Sequence, residues 1–325
     1  MQALTWRGGR QVETTSVAPP VPQDGWSLVR MAYVGLCGTD LHICAGEHPR
    51  AKPGLVIGHE IVGRLVEPAG SVAAGAAVFV NPLLPCGSCR PCRFARYNVC
   101  QRLGFLGIDR DGGAAELVAV PSERLVPLPP WLDLKRAALI EPLAVAVHAI
   151  RRGQVVTGYR VHVTGAGPIG LLVASCARLE GTASVTMSEP SATRAAAARD
   201  FGFELLDDAA ADRSADVVLD CTGHPAASPG VLKWATTGAT VVTVGTYPGV
   251  VGVDLQDLMF RELTVVGARA YTPEDIRAAI TLLERGGIDA TRFITGVMPL
   301  EDGAAAVQRL RDGEAIKVLL EGPSA

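Results

Sequence analysis

Lysine is scarce in this chain, occurring only at Lys52, Lys135, Lys233 and Lys317. The remaining basic residues are arginines, scattered rather than clustered, and the net charge is −3. No electrostatic footprint for nucleic acid or an anionic membrane exists, so neither is expected as a partner. Long apolar runs are also missing: no stretch approaches the roughly 18 residues a membrane span needs. The opening MQALTWRGGR lacks the apolar core of a secretory leader, and a cytoplasmic setting is expected. Aromatic residues make up only 5%. Phe105, Tyr247 and Tyr271 are the candidates for pocket walls, each equally readable as core.

What is present is globular. Hydrophobic residues reach 48% against 19% charged, far from the composition of disorder. A length of 325 residues suits about two domains. Eight cysteines in a chain without a leader point to metal or reactive thiols rather than disulfides. Four of them, Cys86, Cys89, Cys92 and Cys100, stand as C-x2-C-x2-C-x7-C. Four thiolates so close can close a tetrahedral all-sulfur shell with no position left for substrate, which is a structural zinc site. Arg90, Arg93 and Arg96 then read as a solvated face offsetting thiolate charge.

A second constellation lies in CGTDLHICAGEHPRAKPGLVIGHE, from Cys37 to Glu60. Cys37 offers sulfur and His59 an imidazole, and Glu60 or a water completes a tetrahedron of the mixed kind zinc accepts. The separation is too long for a zinc-finger knuckle and suits two loops brought together by a fold. Thr39, Asp40 and His42 are the polar residues between them. Glu141, set among Leu139, Ile140, Leu143 and Val145, is either a helix-start carboxylate before Pro142 or a carboxylate with a metal partner.

Short strand-like pieces between Pro and Gly turns fill the first part of the chain, and Leu134–Ile150 reads as its first long helix. From about residue 155 strands and helices alternate, the pattern of βαβ units and a doubly wound parallel sheet. The first turn of this region is Gly165-Ala166-Gly167-Pro168-Ile169-Gly170, between an apolar strand and an apolar helix. That context is the one in which GxGxxG binds a dinucleotide pyrophosphate. Glu189, at the end of the second strand, is placed to hold ribose hydroxyls and to repel a 2′-phosphate. NAD is therefore expected over NADP, with Arg194 as the counter-argument. Backbone contacts to the cofactor are expected at Cys221, Thr222, Val244 and Gly245. The side chains of Cys44, His48, His148, His162, Cys176, Cys221 and His224 read as structural or incidental. The closing stretch reads as strand, helix and strand, and the last strand can rejoin the first domain.

With these residues in view the chain resembles the zinc-dependent medium-chain dehydrogenase/reductase superfamily, in its sorbitol, idonate, butanediol and threonine dehydrogenase branch. Cys37-Gly38-Thr39-Asp40-Leu41-His42, Gly58-His59-Glu60, the four-cysteine lobe, Glu141-Pro142-Leu143-Ala144-Val145, the glycine turn, Pro299-Leu300-Glu301-Asp302 and Lys317-Val318 carry the likeness. It implies an α/β protein with a β-rich GroES-like catalytic domain over 1–152 and 288–325 and a Rossmann domain over 153–287. By resemblance Cys37 and His59 bind a catalytic zinc with Glu60 and Glu141, and Asp40 fixes the zinc histidine. Thr39 and His42 relay the substrate proton. The implied activity is hydride transfer between NAD and a secondary alcohol in a polyol, sugar acid or aminocyclitol, with a homo-oligomer (dimer or tetramer) as the assembly. A threonine-type amino-alcohol dehydrogenase and a non-catalytic zinc- and nucleotide-binding scaffold are the alternatives.

Overall fold

The computed structural model describes residues 1–323. The chain divides into two compact units, Met1–Glu141 with the segment from Ile280 onward, and Pro142–Ala279. The expected boundaries were 152/153 and 287/288. The difference at the first boundary lies in helix Ile140–Arg152, which is tied to the second unit from Pro142 onward. His148 bonds Asp275 at 2.8 Å, and Arg152 donates to the Gly267 carbonyl at 3.0 Å.

The first unit is built on strand Trp26–Leu36, whose alternation buries Val29, Met31, Val34 and Leu36. It lies in a seven-stranded sheet, pairing antiparallel with Glu60–Leu65, with Leu117–Pro121 and with the late strand Lys317–Glu321. The end of the chain thus returns to the unit that opens it. Leu4, Ile43, Ile57, Ile61, Leu106, Val307 and Leu320 join these residues in one apolar core.

The helix expected over 134–150 is two helices, Leu134–Ala137 and Ile140–Arg152. Pro142 is the reason. Inside a continuous helix its ring would clash with the carbonyl of Ala138, whereas in the first turn of a new helix it loses nothing. The break leaves Glu141 in that first turn.

In the second unit six strands form one parallel sheet. Its spatial order is Glu204–Leu205, Ser184–Ser188, Arg160–Thr164, Ala215–Asp220, Ala235–Thr243, Thr264–Gly267. The order reverses between Arg160–Thr164 and Ala215–Asp220, the switch point where parallel sheets of this kind open a crevice at their carboxyl ends. Val163, Val217, Val218, Leu219 and Val242 are buried, as strands covered on both faces require.

Candidate active site

Cys37 follows directly on the central strand of the first unit and caps helix Gly38–Cys44. Its sulfur accepts from the Thr39 amide at 3.2 Å, while the Cys37 amide donates to Asp40 Oδ2 at 2.9 Å, a reciprocal box that fixes both side chains. The other Asp40 oxygen accepts from the Gly58 amide at 3.1 Å and pins the turn that delivers His59. Cys37 Sγ and His59 Nε2 end 3.3 Å apart. Asp40 Oδ1 stands 3.9 Å from His59 Nδ1, an ion-pair distance rather than a hydrogen bond, and Nδ1 has no hydrogen-bond partner among the described residues.

His59, Glu60 and Glu141 are all buried, and one ligand atom of each lies within 4.8 Å of the others. Glu60 is held firmly. Lys317 Nζ donates to its two oxygens at 2.6 and 2.8 Å and to the Leu36 carbonyl at 3.1 Å. Room for this carboxylate exists because residue 35 is glycine: a Cβ there would stand 1.9 Å from Glu60 Oε2. Burial opposes charge on His59, yet the neighbouring Cys37, Asp40 and Glu141 raise its pKa well above the ordinary imidazole value. Lys317 shows the same balance, burial against Glu60, Cys37 and Glu141, and its pKa is raised.

A zinc ion fits this donor set. Thiolate, imidazole and carboxylate are its usual mixed ligands, and the pocket has a strong call for positive charge. With Zn–S near 2.3 Å and Zn–N near 2.0 Å, a tetrahedral site separates S and N by about 3.5 Å, close to the 3.3 Å found. Both Glu60 oxygens accept from Lys317, and Glu141 brings a second buried carboxylate to the same group of donor atoms.

Thr39 and His42 are not joined by a hydrogen bond among the described residues. His42 is exposed and its Nδ1 pairs with Glu47 Oε2 at 3.1 Å. Phe105 stands edge-on to His59, with ring centroids 6.5 Å apart.

The cysteine lobe folds as the spacing implies. All four thiols are free of disulfides, and their sulfurs lie within 4.8 Å of one another. Cys89 is 3.4 Å from Cys92 and 3.8 Å from Cys100, against a tetrahedral ZnS4 edge of about 3.8 Å. Backbone amides already serve the thiolates: those of Cys86 and Arg102 point at Cys100 Sγ at 3.2 and 3.3 Å. Amides of Ser88 and Cys89 pull Cys86 down to about 5. A second zinc fits here, enclosed by four sulfurs.

In the second unit Gly165 takes φ +89°, open to glycine without strain. Gly170 packs so closely that a Cβ would stand 1.9 Å from the Gly165 carbonyl. Gly167 caps helix Pro168–Leu179, with Ile169 in its first turn, and a Cβ on Gly167 would meet nothing within 4 Å. That open cradle over a helix N-terminus is what a pyrophosphate needs. Glu189 accepts from the Ala166 amide at 2.8 Å and from Ser191 at 2.9 Å, so it also braces the glycine turn. Arg194 is exposed on helix Ala192–Asp200. The amides of Cys221, Thr222, Val244 and Gly245 are all engaged within the unit, which leaves carbonyl oxygens for a ligand.

Two features escaped the sequence reading. One is the buried Lys317–Glu60 pair, whose signal was a lone lysine in the apolar run AIKVLL. The other is buried Asp220, which accepts from the hydroxyls of Thr164, Thr222 and Tyr247 at 2.9, 2.7 and 2.5 Å. It binds three strand ends together at the switch point. Burial and this carboxylate push Tyr247 up to about 12.

Known proteins give the same picture. The alcohol dehydrogenase GroES-like domain matches residues 23–130 and the zinc-binding dehydrogenase family matches 168–285. The chain is similar to L-galactonate-5-dehydrogenase of Escherichia coli, 33% identical over 92% of both chains. It is similar to 2-dehydro-3-deoxy-L-galactonate 5-dehydrogenase of Pseudoalteromonas atlantica, 34% identical over 99% of this chain and 98% of that one. Among solved structures, a zinc-binding dehydrogenase of Sinorhizobium meliloti bound to NADP superposes with a TM-score of 0.91 at 31% identity, covering 98% of each chain.

Proposed function

The chain belongs to the zinc-dependent medium-chain dehydrogenase/reductase family, in its polyol dehydrogenase branch, and from that premise we propose that it oxidises a secondary alcohol of a sugar acid with NAD. It is a zinc- and nicotinamide-dependent oxidoreductase. The observation that carries the reading is the meeting of two donor groups at buried His59, half-buried Cys37 with Asp40 on one side and buried Glu60 with Glu141 on the other, with Glu60 also held by Lys317.

Cys37, His59 and Glu141 would hold the metal, whose chemistry when bound is to polarise the alcohol oxygen and lower the pKa of its hydroxyl. Asp40 locks the turn that carries His59 and supplies negative charge beside its ring. Thr39 and His42 are assigned to the path of the hydroxyl proton; no hydrogen bond joins them among the described residues, and the exposed imidazole, paired with Glu47, releases the proton to water. Gly165, Gly167, Pro168, Ile169 and Gly170 hold the pyrophosphate. Glu189 is the ribose ligand and the reason NAD is preferred, since a 2′-phosphate would meet its charge. The metal-holding part is the unit of Met1–Glu141 with the segment from Ile280 onward, and the dinucleotide part is Pro142–Ala279.

We further infer a cytoplasmic homo-oligomer. No helix among the described residues is long and apolar enough to cross a membrane. Strand Thr264–Gly267 is an edge of the parallel sheet, and Val265, Leu255, Met259 and Phe260 nearby are exposed. An unpaired apolar edge invites pairing with a second copy.

The test is a panel of hexonates, neutral polyols and threonine with NAD, followed by nicotinamide absorbance. Oxidation of hexonates is expected. Turnover of threonine alone would replace the reading by the amino-alcohol one, and no turnover of any alcohol would favour the scaffold.

A further inference from the structure

A sugar acid oxidised at a hydroxyl carries its carboxylate at the far end of its chain. Something beside the metal site, not within it, must read that charge. Several cations of the first unit are already occupied. Lys317 is buried and taken by Glu60, Arg110 lies over the Trp26 ring, and Arg102 donates to Ser88.

Arg50 differs. Its Nη1 donates to the Leu103 carbonyl at 2.8 Å and stands 3.1 Å from Asp109 Oδ2. That Asp109 oxygen accepts from the Phe105 amide at 2.8 Å, and Phe105 is the ring set edge-on to His59. The guanidinium is therefore anchored by one corner to the turn that follows Phe105, the residue whose ring stands beside His59. Nε–H and the Nη2 amino group donate to no protein acceptor among the described residues, and the side chain is 39% exposed. A planar fork held at one corner and open along one edge is pre-set for a carboxylate. His48 stands in the same loop, its Nδ1 facing the amides of Arg50 and Ala51 at 3.4 and 3.3 Å. Burial, then the charge of Arg50, lowers its pKa, so it presents a neutral ring whose other nitrogen carries the proton.

We propose that Arg50, with His48 beside it, is the subsite for the substrate carboxylate and sets the preference for acids over neutral polyols. The inference rests on the sugar-acid reading above. Asp109 fixes Arg50 in place, so the open edge of the fork binds without first losing rotamer freedom. The free edge makes a two-point contact with a carboxylate and only single weak contacts with a terminal hydroxyl.

The experiment compares kcat/KM for a hexonate and for its neutral hexitol in the wild type, Arg50→Gln and Arg50→Lys. In Arg50→Gln the acid-to-polyol ratio should fall about 10- to 100-fold, the worth of a charge-assisted pair. Most of the fall should appear in KM. Arg50→Lys keeps the charge without the fork and should fall between. An equal loss on acid and polyol would mean that Arg50 only props Phe105, and would overturn the subsite. A wild type that oxidises hexonates with a ratio unchanged in Arg50→Gln would overturn the subsite while leaving the sugar-acid reading intact. A wild type that oxidises hexitols and no hexonate would overturn both.

Discussion

Replacing Lys317 by methionine keeps the length and apolar stem of the side chain and removes its charge. Lys317 and Glu60 are each 1% exposed, and the ammonium makes three contacts, two to Glu60 and one to the Leu36 carbonyl. Its raised pKa means that its contribution is complete below 10.5 and fades only as pH rises through the folded value. At neutral pH the whole contribution is therefore in place. Removing one member of a buried pair costs about 3–5 kcal/mol, because the other charge stays buried alone. For a unit of this size that is roughly 6–20 °C of melting temperature. The assay is thermal unfolding before and after zinc removal, with the loss larger in the stripped protein, where Glu60 has no metal to turn to. The double variant Lys317→Met, Glu60→Gln should regain more than half of the loss, since no net charge is then buried. A single-variant shift under about 2 °C, or a double variant no more stable than the single, would refute the reasoning.

Glu189→Ala should weaken NAD about 10-fold or more, the worth of a charge-assisted hydrogen bond, and NADP less. Dinucleotide titrations read this, and an unchanged NAD-to-NADP ratio removes its ribose role. His162 is 1% exposed, stacks 3.7 Å from Trp234, and is pushed by burial from 6.5 down to about 3. The unfolded chain takes up this proton first, so stability falls as pH drops from 6.5 toward 3, by up to about 4–5 kcal/mol. Melting curves over that range should be flatter for His162→Gln than for the wild type, and equal slopes would contradict the burial account. Cys92→Ser should lower stability whether or not substrate is present, because it opens a four-sulfur shell. An unaltered melting curve would remove the second zinc.

Residue types at fixed spacing carried most of the sequence reading. The cysteine lobe, the glycine turn and the alternation after residue 155 each determine a local structure by themselves, and the structure builds each one. What stayed hidden depends on partners far away in the chain. Lys317 meets Glu60 only because the closing strand pairs with Trp26–Leu36. Gly35 makes room for that carboxylate across the neighbouring strand. No local pattern announces either. The apolar pattern over 134–150 implies one helix, whereas the chain forms two. The apolar period ran on through the break, and the proline's clash with residue 138 is what decided against it. Glu189 shows a residue with two duties. Its spacing marked the ribose role, while its bonds to Ala166 and Ser191 appear only once the turn is folded. His42 turned toward Glu47, a pairing five residues apart that the motif did not foretell.

The most direct test is the zinc content of the purified protein, counted per chain, in the wild type and in Cys37→Ser. The wild type should hold about two ions and the variant about one. The variant should also lose alcohol oxidation while keeping its fold and its dinucleotide affinity. About one ion in both proteins would mean that Cys37, His59 and Glu141 hold no metal, and the dehydrogenase mechanism built on them would fall.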